Sequence, residues 1–114
     1  YSGPYYIGTE LFLELLNQYP VLNEVLTSLV SSKSAHERWV ALSLIRDERV
    51  PEDIAFTIVK AGIHDTSAKV RSFAIECVYS RNITLLLCEL VDMVMKEKNV
   101  KVLNLLEWVI ERMK

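Results

Sequence analysis

The chain has 114 residues, of which half are apolar and a quarter are charged, and its net charge is −2. That balance fills a core and still covers a surface with charge, which excludes wholesale disorder. Three glycines and three prolines are too few for the turns of a β-sandwich or barrel, so one all-helical domain over 1–114 is expected.

The opening Tyr1-Ser2-Gly3-Pro4-Tyr5-Tyr6 has neither the basic region nor the apolar run of a signal peptide. It begins without Met, as a processed protein or an excised piece does. About seven helices follow from the apolar spacing and the punctuation between apolar sets. The first is predicted from about Thr9 to Tyr19, with Leu11, Leu15 and Leu16 in its apolar set. The second starts at Pro20, whose missing N–H is not needed in a first turn, and carries Leu22, Val25, Leu26 and Leu29. The third opens with a capping box, Ser34-Ala35-His36-Glu37, and runs through Trp39, Leu42 and Ile45 to about Asp47. The fourth begins at Pro51-Glu52-Asp53, with two acids where the helix dipole favours them, and ends at Gly62 as a C-terminal cap. Asp65 or Thr66 is expected to cap the fifth, which holds Val70, Phe73, Ala74, Cys77 and Val78. Asn82 is expected to cap the sixth, rich in Leu85, Leu86, Leu87, Leu90 and Val94. The seventh runs from about Asn99 to Met113. Its apolar arc is Val102, Leu103, Leu105, Leu106, Val109, Ile110 and Met113, opposite Asn104, Glu107 and Glu111.

The chain repeats itself. Ser34-Ala35-His36-Glu37-Arg38-Trp39-Val40-Ala41-Leu42 stands over Ser67-Ala68-Lys69-Val70-Arg71-Ser72-Phe73-Ala74-Ile75 at an offset of 33 residues. The following helices align as well, with Ile54, Ala55, Ile58 and Val59 over Leu86, Leu87, Leu90 and Val91. A weaker third copy places Val100-Lys101 over Val70-Arg71, Leu103 over Phe73 and Trp108 over Val78. Ala41 and Ala74 are expected to be buried where paired helices cross closely.

Val70-Arg71-x-x-Ala74-x-x-x-Val78 resembles the first helix of a HEAT repeat, in which a small Ala lets two helices approach and a basic residue helps hold the stack. The resemblance covers residues 34–97 best, with repeats over 34–65 and 66–97 and a closing helix over 99–113. It implies a short right-handed α-solenoid of antiparallel helix pairs, in which neighbouring units bury a shared core.

Chemistry is harder to find. HEAT-like hydroxylases hold two irons with several His-Glu pairs, but this chain has the single pair His36-Glu37. Through Arg38 and Arg71, the family's positions fall on Trp39-Val40 and Ser72-Phe73. The capping box already explains Glu37, so no metal or other cofactor is expected. There is no nucleophile elbow and no glycine-rich phosphate loop. Cys77 lies on an apolar face, and Met93, Met95 and Met113 read as core fillers. Cys77 and Cys88 have no metal or redox spacing. They are expected to be reduced in a cytoplasmic protein, an extracellular disulfide being the other reading.

No membrane contact is expected, because the most apolar stretch, Ile83 to Met95, is interrupted by Glu89 and Asp92 and is too short to span. No nucleic-acid contact is expected either. The inner helices would offer Lys60, Lys96 and Lys98 against Glu24, Glu52, Asp53, Glu89, Asp92 and Glu97. The expected role is a protein-binding scaffold without catalytic activity. The alternative is a small inhibitor or immunity-type protein, which a one-sided acidic face would favour. The positions left over from the apolar sets of the inner helices form the candidate partner face: Asn23 and Thr27, Phe56 and Lys60, Cys88 and Asp92. Phe56 is the anchor if it is exposed. Trp108 falls outside the closing helix's arc, beside Lys101 and Arg112. Together with Tyr1, Tyr5 and Tyr6 at the other end, it suggests homo-oligomers formed through the ends of the stack.

Overall fold

The computed structural model describes residues 22–114, and of Leu22, Asn23 and Val25 the backbone alone. The expected helix over Thr9–Tyr19, the start at Pro20 and the tyrosines Tyr1, Tyr5 and Tyr6 lie outside the described residues. Among those described the chain is all-helical: α1 Leu22–Val30, α2 Ala35–Ile45, α3 Glu52–Gly62, α4 Ala68–Ser80, α5 Leu87–Val94 and α6 Val100–Met113, with a 3-10 turn over Thr84–Leu86 leading into α5.

Three helix starts share one local chemistry. Ser34 accepts from the Glu37 N–H, Ser67 from the Val70 N–H, and Asn99 from the Lys101 and Val102 N–H groups. Two residues before each cap, a side-chain oxygen accepts the cap residue's own N–H: Ser32 for Ser34, Asp65 for Ser67 and Glu97 for Asn99. The capping box at Ser34 is therefore half formed, because Glu37 takes the Ser32 hydroxyl and leaves the Ser34 N–H to Ser32. Asp65 supports the cap of α4 and Ser67 is the cap, which corrects the expectation of Asp65 or Thr66. The start of α6 also resets the third copy. Asn99 stands over Ser67, so Val102 falls on Val70, Leu103 on Arg71 and Leu106 on Ala74.

Two further boundaries differ from expectation. Gly62 is the last residue of α3, followed by Ile63 in a right-handed conformation, and is not a left-handed cap. It is glycine because α4 passes so close: a Cβ there would lie 2.9 Å from the Ala74 Cβ and 3.1 Å from Leu42 Cδ1. Asn82, at φ 52°, closes α4 and does not cap α5. The Ile83 N–H reaches the Val78 carbonyl and the Asn82 N–H the Tyr79 carbonyl, the two bonds of a Schellman end in which Asn tolerates the left-handed turn.

The helices pack as two rows. α2, α4 and α6 form one, with α4 against both neighbours; α1 and α3 pack together in the other, α3 packs on α2 and α4, and α5 packs on α6. The core between the rows is built from fully buried Leu26, Leu42, Ile45, Ile58, Ile75, Leu86, Leu90 and Leu106, and both Ala41 and Ala74 are fully buried. Most of the arc expected on α6 is observed: Val102, Leu106 and Val109 are buried and Leu105, Ile110 and Met113 pack on the core, while Leu103 does not and Asn104, Glu107 and Glu111 are exposed. Two positions depart from the expected core. Leu85, in the 3-10 turn, and Met95, just past the end of α5, are 80 % and 89 % exposed.

Candidate functional site

Arginines tie successive units together. Arg38 Nε and Nη2 donate to the Asp65 carboxylate at 2.6 and 3.0 Å, and Arg71 Nε and Nη2 donate to Glu97 at 2.9 and 2.8 Å. Each arginine also grips the loop ahead of its own helix, Arg38 through the Ser32 carbonyl and Arg71 through those of Asp65 and Thr66. Planar two-point pairing of this kind fixes orientation as well as distance. At Asp65, burial works against the charged form, but the Arg38 hydrogen bonds, the Ser67 N–H and the nearby Arg71 charge outweigh it and hold the carboxyl below its ordinary range. At Glu97 the Arg71 hydrogen bonds dominate and lower the carboxyl, against a smaller opposing effect of burial. The series stops at α6, where Leu103 occupies the arginine position.

Between α3 and α5 this framework leaves an open groove of about 630 Å³, lined by Lys60, His64, Glu89, Asp92, Lys96 and Lys98 among others. Glu89 organises it. Its two carboxylate oxygens meet His64 Nε2 at 3.0 Å and Lys60 Nζ at 3.5 Å, so one acid on α5 links two side chains from the end of α3. The His64 hydrogen bond, resisted by partial burial and assisted by Lys60, holds the Glu89 carboxyl below its ordinary range. Lys60 also reaches over the Phe56 ring, 5.8 Å from its centroid.

The candidate residues divide accordingly. Lys60 and Asp92 face the same groove, and Phe56 adjoins it. Phe56 is half-buried, packed against the core on one side and lining a cleft with Asp53, Thr57 and Leu85 on the other. Cys88 is exposed on α5, Thr27 is exposed on α1, and the Asn23 side chain lies outside the described ones. Trp108 belongs to a different place, on the α4 side of α6. It meets Tyr79 edge-on at 5.1 Å and carries the Arg112 guanidinium 3.8 Å from its ring centroid, in a cleft with Arg46, Glu76 and Leu105. It therefore lies along the α2–α4–α6 row and not at its end.

Sequence reasoning passed over His64 and Glu89 as partners, since they are far apart in the chain. The available signal was spacing: Lys60 and His64 are four apart across the end of α3, as are Asp92 and Lys96 across the end of α5. The His36–Glu37 pair is otherwise engaged. His36 stacks on Trp39 at 6.0 Å, Trp39 meets Phe73 edge-on at 5.2 Å, and Glu37 holds Ser32. Among the described residues no group of three or more His, Cys, Asp or Glu side chains is arranged to hold a metal ion. Both cysteines are free thiols, and burial pushes the Cys77 thiol up to about 12. No described helix is long and apolar enough to cross a membrane.

Compared with family models, curated proteins and solved structures, the chain matches none.

Proposed function

We propose that the chain is a protein-binding scaffold of HEAT-like design, a short right-handed α-solenoid that holds a partner protein in the α3–α5 groove without catalysing a reaction on it. The observation that carries this reading is the groove itself. Within it Lys60, Glu89 and His64 are linked, and Lys96, Lys98 and Asp92, not paired with one another, line it as exposed side chains. Such a surface recognises by charge pattern around a fixed shape. The paired clasps Arg38–Asp65 and Arg71–Glu97, at matching places in successive units, support the solenoid. A mixed set of charges in the groove favours a scaffold over an inhibitor, for which a one-sided acidic face was the expected mark.

The test is site-specific photocrosslinking. A benzophenone placed at position 60 or 92 should give the same protein adduct from an extract of the native cells, and one at Glu48 should not. Excess unlabelled chain should compete the adduct away, whereas the Lys60→Glu, Asp92→Lys chain should not. Equal adducts from all three positions would reject the groove as the binding site.

A further inference from the structure

α5 is apolar on two sides. Leu86, Leu90 and Met93 are buried, while Val91 and Met95 are exposed, with exposed Cys88 beside them. The positions 88, 91 and 95 follow one another at helical spacing along the open side. One unit earlier, the register places Val59 under Val91 and Ile63 under Met95, and both of those are fully buried. The same positions are thus core beneath a following helix pair and surface at the last described one. Val100, at the start of α6, extends the exposed apolar strip. The other row ends differently: exposed Glu107 stands in the register of Leu42 and Ile75, both fully buried. This face of the last described helix pair therefore carries a carboxylate on α6 and apolar side chains on α5.

Charge along this end is polarised. Lys96 and Lys98 are exposed at the α5–α6 turn beside Met95 and Val100. Glu107 and Glu111 lie toward the far end of α6, where Glu111 keeps Lys114 at 3.5 Å. Residues 95–99 are too short a connection for anything but antiparallel neighbours, so that acidic end lies beside the start of α5.

We propose that this end of the molecule pairs with the same end of a second copy, the two α5 helices running antiparallel across a two-fold axis. The arrangement covers Val91 and Met95 of both copies. It also places Lys96 and Lys98 of each against Glu107 and Glu111 of the other, whereas a parallel pairing would oppose like charges. The inference shares its repeat register with the scaffold reading and borrows Lys96 and Lys98 from the groove's lining, so Met95 and Lys60 are the positions that separate the two. It also supplies its own reporter. The strip from Cys88 to Met95 is centred near positions 91 and 92, so the two Cys88 positions are offset by about 10 Å along the helices and separated by roughly 8–10 Å across them.

The experiment uses the full chain. Sedimentation equilibrium from the micromolar to the millimolar range should show a reversible dimer. A short bis-maleimide should trap it through Cys88, and Cys88→Ser should abolish the adduct. Met95→Glu changes a side chain that is 89 % exposed in the single chain, so it should leave the circular dichroism and melting of the monomer unchanged. It should weaken the dimer about tenfold or more. Lys96→Glu with Lys98→Glu should weaken it too, and adding Glu107→Lys should restore it. The groove variant Lys60→Glu should leave it intact, so failure of the groove reading and failure of this one are separable. A chain that stays monomeric throughout without a Cys88 adduct overturns the proposal. So does a dimer that survives Met95→Glu, or one that Lys60→Glu destroys.

Discussion

Gly62 and Ala74 mark the closest approach of α3 and α4, and the contact leaves no room for a methyl group: a Cβ on Gly62 falls 2.9 Å from that of Ala74. Gly62→Ala should therefore lower stability in spite of its better helix propensity. Ala74→Leu and Ala41→Leu should each cost roughly 1–3 kcal/mol through overpacking, read from thermal or urea unfolding. Unchanged melting of both alanine variants would mean that the repeat register is wrong. The two thiols make a second measurement at this scale. Cys77 is buried against the Leu42 carbonyl at 3.8 Å with its thiol raised to about 12, whereas Cys88 is exposed. Maleimide at neutral pH should label one cysteine in the folded protein and both in denaturant. The small residues at 41 and 74 were legible because their neighbours repeat. Gly62 was misread because glycine serves equally at a left-handed cap and at a close crossing. Asn82 was misread for the same kind of reason: asparagine both caps helix starts and tolerates the left-handed turn that ends them.

At the level of helices, each clasp joins a row helix to the loop that starts the next. Glu97 has a side chain only 5 % exposed, and without Arg71 it would be a nearly buried, unpaired charge. Arg71→Met should cost about 1–3 kcal/mol, and Glu97→Gln added to it should recover part of the loss. The pH dependence follows from the lowered Glu97 carboxyl. Because the folded value lies below the unfolded one, the clasp stabilises fully above the ordinary carboxylate pKa of about 4.3, and its contribution is lost as pH falls through the folded value. The stability gap between the parent chain and Arg71→Met, Glu97→Gln should therefore be constant near neutrality and narrow in acid. A gap that widened in acid would contradict the assignment. The helices themselves were readable from apolar period and caps, as all of the described ones show to within a few residues. The clasps were not, since the acids that answer Arg38 and Arg71 stand 27 and 26 residues further along the chain. Only the packing of one unit on the next brings them together.

For the molecule as a whole, position in the rows sets how much each helix is held. α4 packs on α2, α3 and α6, whereas α5 packs chiefly on α6. Amide exchange should be slowest in α4 and faster in α5, since local opening is cheapest where few apolar contacts must be broken. Exposure at the end of the rows was not legible for the same reason. Leu85 and Met95 carry the apolar pattern of a core helix, and whether such a pattern is buried depends on what stands beside it. Arg81 shows how far one unit can govern another. Its guanidinium donates to the carbonyls of Ile45, Asp47 and Val50, so the α2–α3 turn is held in shape by a residue from the following unit. Arg46-Asp47-Glu48-Arg49 looks like the place a protease would cut first. With the Asp47 carbonyl and those of Ile45 and Val50 on either side engaged, it does not easily unfurl into the extended strand that a protease active site requires. Trypsin should cleave the native chain sooner at Lys96 and Lys98 than at Arg46 or Arg49, and Arg81→Gln should reverse that order. The same constraint makes the turn a poor site for inserted sequence despite its exposed charges, since any added residue would pull three carbonyls off a single cation.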